Sequence, residues 1–187
     1  MEPNAAPRWS ATGVALHWLT AIVVLVAFVY GPGGSESRVY GASRDFEREI
    51  HETLGLIVLG LTLIRVVWRL GAARPPPAPS PRWMTVAASS VQGALYVLLF
   101  ALPVTAAAGA WLEGHPLTLL EGVRIGPLLA ERPALGAALA ALHTWLGDAI
   151  MWLAGLHAAA ALFHHFVLRD DVLASMLPGW GLLRRRR

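Results

Sequence analysis

Four apolar runs, each about as long as a bilayer core is thick, dominate this 187-residue chain. A helix crosses the hydrocarbon in about 20 residues. The runs predict spans over about 11–30, 49–70, 85–111 and 133–168. The first ends at Gly31-Pro32-Gly33-Gly34. The second is followed by Gly71 and then Arg74-Pro75-Pro76-Pro77. The fourth opens on Pro133, a good first-turn residue, and its early part, Ala134 to Leu142, is expected above the core. Pro103 removes one ladder hydrogen bond and predicts a bend in the third. Backbone groups in lipid must be satisfied within their own segment. The expected fold is therefore all-α: a four-helix integral membrane bundle, one membrane domain over 1–187.

Composition removes the competing classes. Hydrophobic residues make up 56% and charged residues 14%, against about 25% charged in soluble domains. Disorder is excluded by the apolar content. A nucleic-acid partner is not expected: the net charge is only +3, and the cations sit at segment ends rather than on one face. There is no Cys, so disulfides, zinc–cysteine sites, iron–sulfur clusters and thiol nucleophiles are excluded. All 15 basic residues are Arg, which excludes a Schiff-base lysine.

Arg placement predicts direction. Arg8, Arg69, Arg74, Arg82, Arg169 and Arg184 to Arg187 fall on one side of the spans. Arg38, Arg44, Arg48, Arg124 and Arg132 fall on the other, diluted by seven acidic residues including Asp45, Glu47 and Glu49. Both termini are expected in the cytoplasm. The first span is too long, and carries a histidine, for a cleavable signal peptide.

Histidines are the obvious chemistry. His115 reads as loop surface. His17, His51, His143, His157, His164 and His165 lie within or at the ends of spans, where ionisable residues are costly and function is their default reading. Depth sorts four of them. His143 and His157 are 14 residues apart, about 21 Å along one helix and within about 40° of one face. His51 opens the second span on the same side as His143. His17 and His157 lie about 12 and 16 Å from the cytoplasmic side. The result is two cross-helix pairs, one per leaflet.

Zinc usually takes three or four protein ligands, whereas haem iron takes two axial ones. Small residues stand one turn from each imidazole: Gly13 and Ala21 around His17, Gly55 after His51, Gly147 after His143, Ala161 after His157. Residues four apart share a face, so each ring stands in a notch that suits a flat macrocycle. Ordinary Gly/Ala helix packing is the competing explanation. Taken with the paired histidines, the notches favour two bis-histidine b haems. They are not covalently attached, because Cys-x-x-Cys-His is absent. His164, seven residues after His157, competes with it on nearly the same face. His164 and His165 read either as interfacial anchors beside Arg169 or as proton carriers.

These residues resemble the bacterial cytochrome b561 family, especially its small stand-alone four-helix members. The likeness is carried by Leu16-His17-Trp18-Leu19, Ile50-His51, Arg65-Val66-Val67-Trp68-Arg69-Leu70, the stretch from Tyr96 to Pro103, and above all Gly155-Leu156-His157-Ala158-Ala159-Ala160-Ala161-Leu162-Phe163-His164-His165. It covers nearly the whole chain. One departure is Ser89 and Gln92 early in the third span, where relatives carry histidines. The resemblance implies two b haems on His17, His51, His143 and His157 in a multi-pass protein of the bacterial inner membrane. It also implies electron exchange with the quinone pool, and for this small type oxidation of superoxide at the periplasmic face with reduction of ubiquinone. Arg44 and Arg48 are then candidates for steering the anion, with Arg38 and Arg124 behind them. Pairing with acidic neighbours or haem propionates is the alternative for these residues. Arg65 and Arg69 are candidates for binding propionates, and His164 for supplying protons at the quinone site. Two other functions compete: an electron-transfer subunit linking a partner dehydrogenase or hydrogenase to quinone, and a haem-free transporter with a histidine proton relay. Asp148 is left without a role.

Overall fold

The computed structural model describes residues 9–31, 39–71 and 81–177. Arg8, Arg38, Arg74 and Arg184 to Arg187, used above for direction, lie outside the described residues. Among the described residues, four helices are long and apolar enough to cross a membrane. They are α1 (Ala11–Val29), α2 (Asp45–Gly71), α3 (Arg82–Leu112) and α4 (Pro133–Phe163). A π-helical turn, His164–Leu168, extends α4.

Local chemistry sets the ends. Ser10 caps α1 by accepting the Gly13 N–H at 3.1 Å, satisfying one orphan donor of the first turn. α2 starts at Asp45, four residues before the expected Glu49. Asp45 and Glu47 in its first turn complement the helix dipole, and Arg48 bonds back to Asp45 at 2.7 Å. Pro103 is buried inside α3, which runs on as one helix to Leu112.

The bundle packs α1 on α2, α2 on α3 and α3 on α4. Its centre is Val58, Leu99 and Ile150, surrounded by Val23, Val24, Leu95, Leu98, Leu102 and Met151. Large apolar side chains cover the outside, among them Trp145 and Trp152, as the hydrocarbon environment requires. α3 and α4 approach most closely at one end. A Cβ on Gly136 would lie 3.0 Å from the Gly109 carbonyl oxygen and 2.6 Å from Glu113 Cγ.

A short hairpin joins α3 to α4, where the sequence shows only the gap between two apolar runs. β1 (Leu117–Thr118) pairs antiparallel with β2 (Arg124–Ile125), and a 3₁₀ turn, Leu120–Gly122, links them. Glu121 and Gly122 both take positive φ there, which four residues cannot easily announce by periodicity. α2 holds this hairpin down. The Glu52 carboxylate accepts the Thr118 N–H, and Thr53 Oγ1 accepts the Leu120 N–H at 3.0 Å. The hairpin marks one end of the bundle, the hairpin end, and Ser10 with the π turn marks the other, the terminal end.

Candidate functional site

Two histidine pairs bridge the helices, and they are the pairs matched by depth. At the hairpin end His51 of α2 faces His143 of α4, with ring centroids 5.9 Å apart. At the terminal end His17 of α1 faces His157 of α4 at 6.3 Å. An imidazole nitrogen binds a metal at about 2 Å, so the two rings of either pair are close enough that they could hold one metal centre between them.

At the hairpin end the rings are also oriented. His51 Nδ1–H donates to the Ala27 carbonyl of α1 at 2.7 Å. His143 Nδ1–H donates to the Leu102 carbonyl of α3 at 2.9 Å. An imidazole that donates from Nδ1 keeps Nε2 as its lone-pair nitrogen, the arrangement of metal-ligating histidines. These carbonyl partners carry no side-chain signature and were not foreseeable. The terminal end is built differently. His17 Nδ1 lies 3.5 Å from Arg65 Nη2, at the limit of a hydrogen bond. The Arg65 and Arg69 guanidinium carbons stand 5.3 and 5.4 Å from the Tyr96 ring centroid.

The expected notches divide. A Cβ on Gly55 or Gly147 would meet nothing within 4 Å, so the helix beside His51 and His143 is open. Gly13 differs: a Cβ there would meet Ser10 Oγ at 3.1 Å and lie 3.9 Å from Trp68 Nε1. Its side of α1 is closed by the capping hydroxyl and the indole that donates to it. Gly13 is therefore a packing position, not an open cradle. Among the described residues no three of His, Asp or Glu converge as ion ligands, so each level offers a two-imidazole site. The residues fit a bis-histidine haem, most completely at the hairpin end.

The steering candidates need correction. Arg48 is 11% exposed, bonded to Asp45 and 3.5 Å from the Glu52 carboxylate. Its guanidinium lies 5.4 Å from the Tyr40 ring centroid, and Tyr40 stacks on His115 at 3.6 Å. Arg44 pairs with Glu47. Neither is a free charge on a rim, because each lies one helical turn from a carboxylate. His115, read as surface, is part of this stack. Arg124 and Arg132 are exposed on the hairpin side, without an ion pair among the described residues.

His164 has a partner that the sequence reading missed. Its Nδ1 bonds the Asp170 carboxylate at 2.5 Å. Asp170 N–H in turn donates to the His164 carbonyl at 3.2 Å. A six-residue separation suits no helical face. It works because the π turn ends on Arg169 in the left-handed region, φ 55°, and folds the chain back. The following segment docks on α1, where Trp18 Nε1–H donates to the Met176 carbonyl at 2.6 Å. His165 stands apart, its ring 4.9 Å from Phe166.

A four-helix membrane bundle with imidazoles paired across its helices is the architecture of a b-type membrane cytochrome. Residues 8–179 match the family model of prokaryotic cytochrome b561. The chain is similar to "Cytochrome b561 homolog 2" of Escherichia coli K12, 33% identical over 93% of each chain. It is similar to "Probable superoxide oxidase CybB" of Yersinia pestis, 30% identical over 91% of this chain and 96% of that one. It is also 30% identical to "Cytochrome b562" of Cereibacter sphaeroides, over 91% and 96%. The chain belongs to the prokaryotic cytochrome b561 family: it is a multi-pass bacterial membrane protein that binds haem b and transfers electrons.

Proposed function

We propose that this protein is a di-haem b superoxide:ubiquinone oxidoreductase of the inner membrane, with its hairpin end in the periplasm and its terminal end in the cytoplasm. The observation that carries the reading is the pair of two-imidazole sites, one toward each end of the bundle. The 30% identity to a probable superoxide oxidase supports the choice of substrate. His51 and His143 would hold one haem, His17 and His157 the other. Haem iron supplies one-electron chemistry, its potential set by axial ligands and surroundings.

The chain's own residues do the rest. Two superoxide ions yield two O₂ and two electrons, and ubiquinone takes two electrons and two protons. Oxidation releases no proton, so the quinone end must take up both. Arg124 and Arg132, exposed on the hairpin side and without an ion pair among the described residues, replace Arg44 and Arg48 as the charges that draw the anion in. Arg48 has a holding role instead. Its Nε is buried without a partner among the described residues, a donor suited to a haem propionate. Arg65 and Arg69, braced on Tyr96, offer the same at the other end.

His164 carries protons. Its Nδ1–H donates to the Asp170 carboxylate, which orients the ring and leaves Nε2 to exchange protons. The docked segment around Met176 shields this end.

Stopped-flow mixing of the haem-loaded protein with superoxide, then with ubiquinone, tests the reading. Fast reduction followed by ubiquinone-dependent reoxidation is expected. No reduction by superoxide, with full reduction by a co-purifying dehydrogenase or hydrogenase, would overturn it.

A further inference from the structure

Trp18 follows His17 on α1, yet its polar edge turns elsewhere. The two rings meet edge-on, with centroids 5.4 Å apart and planes at 72°. The indole N–H donates to the Met176 carbonyl at 2.6 Å, across 158 positions of sequence. An indole has this one donor and no acceptor. One side chain therefore touches both an imidazole of the terminal-end pair and the segment that follows α4.

That segment, residues 170–177, is a strap that returns from the end of α4 to α1. Local bonds shape it. Ser175 N–H donates to the Asp171 carbonyl at 2.8 Å, and Met176 N–H to the Leu173 carbonyl at 3.0 Å. Fastening comes from its two ends, Asp170 on His164 and Met176 on Trp18. Between them Ala174 is only 2% exposed, so the strap lies against protein instead of trailing in water. α1 packs on α2, and α4 on α3. The strap thus ties together the two helices whose imidazoles face each other at this end. The strap also aims the carboxylate. Asp170 Oδ1 accepts the Val172 N–H at 3.1 Å, which leaves Oδ2 directed at His164 Nδ1.

We propose that Trp18 is a positioning residue: by holding the Met176 carbonyl it keeps the strap folded on α1 and the Asp170 carboxylate on His164. The inference rests on the reading of His164 as the proton carrier for quinone reduction. A short terminal segment with few buried apolar contacts belongs to the low-stability end of a protein. There a single hydrogen bond shifts the docked fraction appreciably, by about fivefold in the equilibrium constant. When the strap lifts, the Val172 N–H that orients Asp170 moves with it, and His164 loses the group that orients its ring.

Two substitutions release the strap by different means. Trp18→Phe keeps a ring beside His17 and removes the N–H. Ala174→Glu puts a charge where water does not reach, which undocking relieves. Both are made in the haem-loaded protein in lipid nanodiscs. Amide exchange over residues 170–177, read by mass spectrometry without turnover, is expected to rise about fivefold in Trp18→Phe and further in Ala174→Glu. The kcat for ubiquinone is expected to fall in the same order with KM unchanged, Ala174→Glu reaching the level of Asp170→Asn. In the Asp170→Asn background Trp18→Phe should add nothing, a non-additivity that general loosening of the bundle would not produce. Exchange unchanged in both variants overturns the inference, as does a released strap with full kcat, or an effect that adds to that of Asp170→Asn. Loss of a haem in Trp18→Phe would make the indole a support for His17 and overturns it too. Ubiquinone-dependent reoxidation missing from the parent protein overturns the underlying reading and this inference with it, whatever the exchange shows.

Discussion

What a histidine ring faces separates the histidines of this chain. His51 and His143 spend Nδ1–H on helix carbonyls and face each other, whereas His164 spends it on a carboxylate. A carbonyl or a carboxylate can orient a metal-ligating ring, so it is the facing imidazole that suits the first two to one iron and leaves the third to carry protons. His51→Ala or His143→Ala is accordingly expected to halve the haem content measured by pyridine haemochromogen, as is His17→Ala or His157→Ala. The remaining haem should be the same within each pair and different between pairs, which the redox titration of each variant reports. Haem loss on His164→Ala but not on His157→Ala would reassign the ligand. Otherwise His164→Ala should keep both haems and reduction by superoxide, and slow reoxidation by ubiquinone about 10²-fold, a usual scale for losing a positioned acid. Asp170→Asn should slow it less, because the ring remains. At this scale the histidine pairs were legible, since depth follows from counting residues along regular helices. Asp170 was not, because a π turn and one left-handed residue break the count between it and His164.

The helices themselves were legible because lipid demands long apolar runs. What joins them was not. The clasp of Glu52 and Thr53 on the hairpin involves residues 66 and 67 positions apart, and nothing local marks such partners. It also explains why the Arg residues before His51 failed as free charges: their carboxylate neighbours belong to the same helical turns and to this clasp. Glu52→Ala leaves Arg48 buried with one partner fewer and frees the Thr118 N–H. A cost of about 1–3 kcal/mol is expected from the unmade bonds, read as a lower temperature for loss of the Soret band and faster proteolysis within residues 117–125. Gly136→Leu strikes the α3–α4 contact itself, where even a Cβ would be 3.0 Å from the Gly109 carbonyl. Overpacking there should cost about 1–3 kcal/mol without changing which haems bind. A variant of unchanged thermal stability would show that the two helices can separate at that end.

For the whole molecule, sidedness follows from where charge and proton carriers sit. The hairpin end presents Arg124 and Arg132 to water, and the terminal end presents the His164–Asp170 pair. If superoxide is oxidised at the first and quinone reduced at the second, electrons cross inward while protons are drawn only from the terminal side. Proteoliposomes with the terminal end facing the lumen, sorted by the accessibility of a single cysteine placed in the hairpin, should therefore alkalinise their interior. The yield should be two protons lost from the lumen per ubiquinol formed, read by a trapped pH indicator while superoxide is generated outside. His164→Ala should slow that uptake in step with quinol formation. Arg124→Glu with Arg132→Glu should slow the superoxide step and flatten its salt dependence, since steering of an anion by exposed cations is screened. Arg44→Ala combined with Glu47→Ala, which removes a matched pair without altering the net charge, should leave that dependence unchanged. Proton uptake from the hairpin side would place the quinone site at the opposite end, and with it reverse the direction in which this bundle conducts.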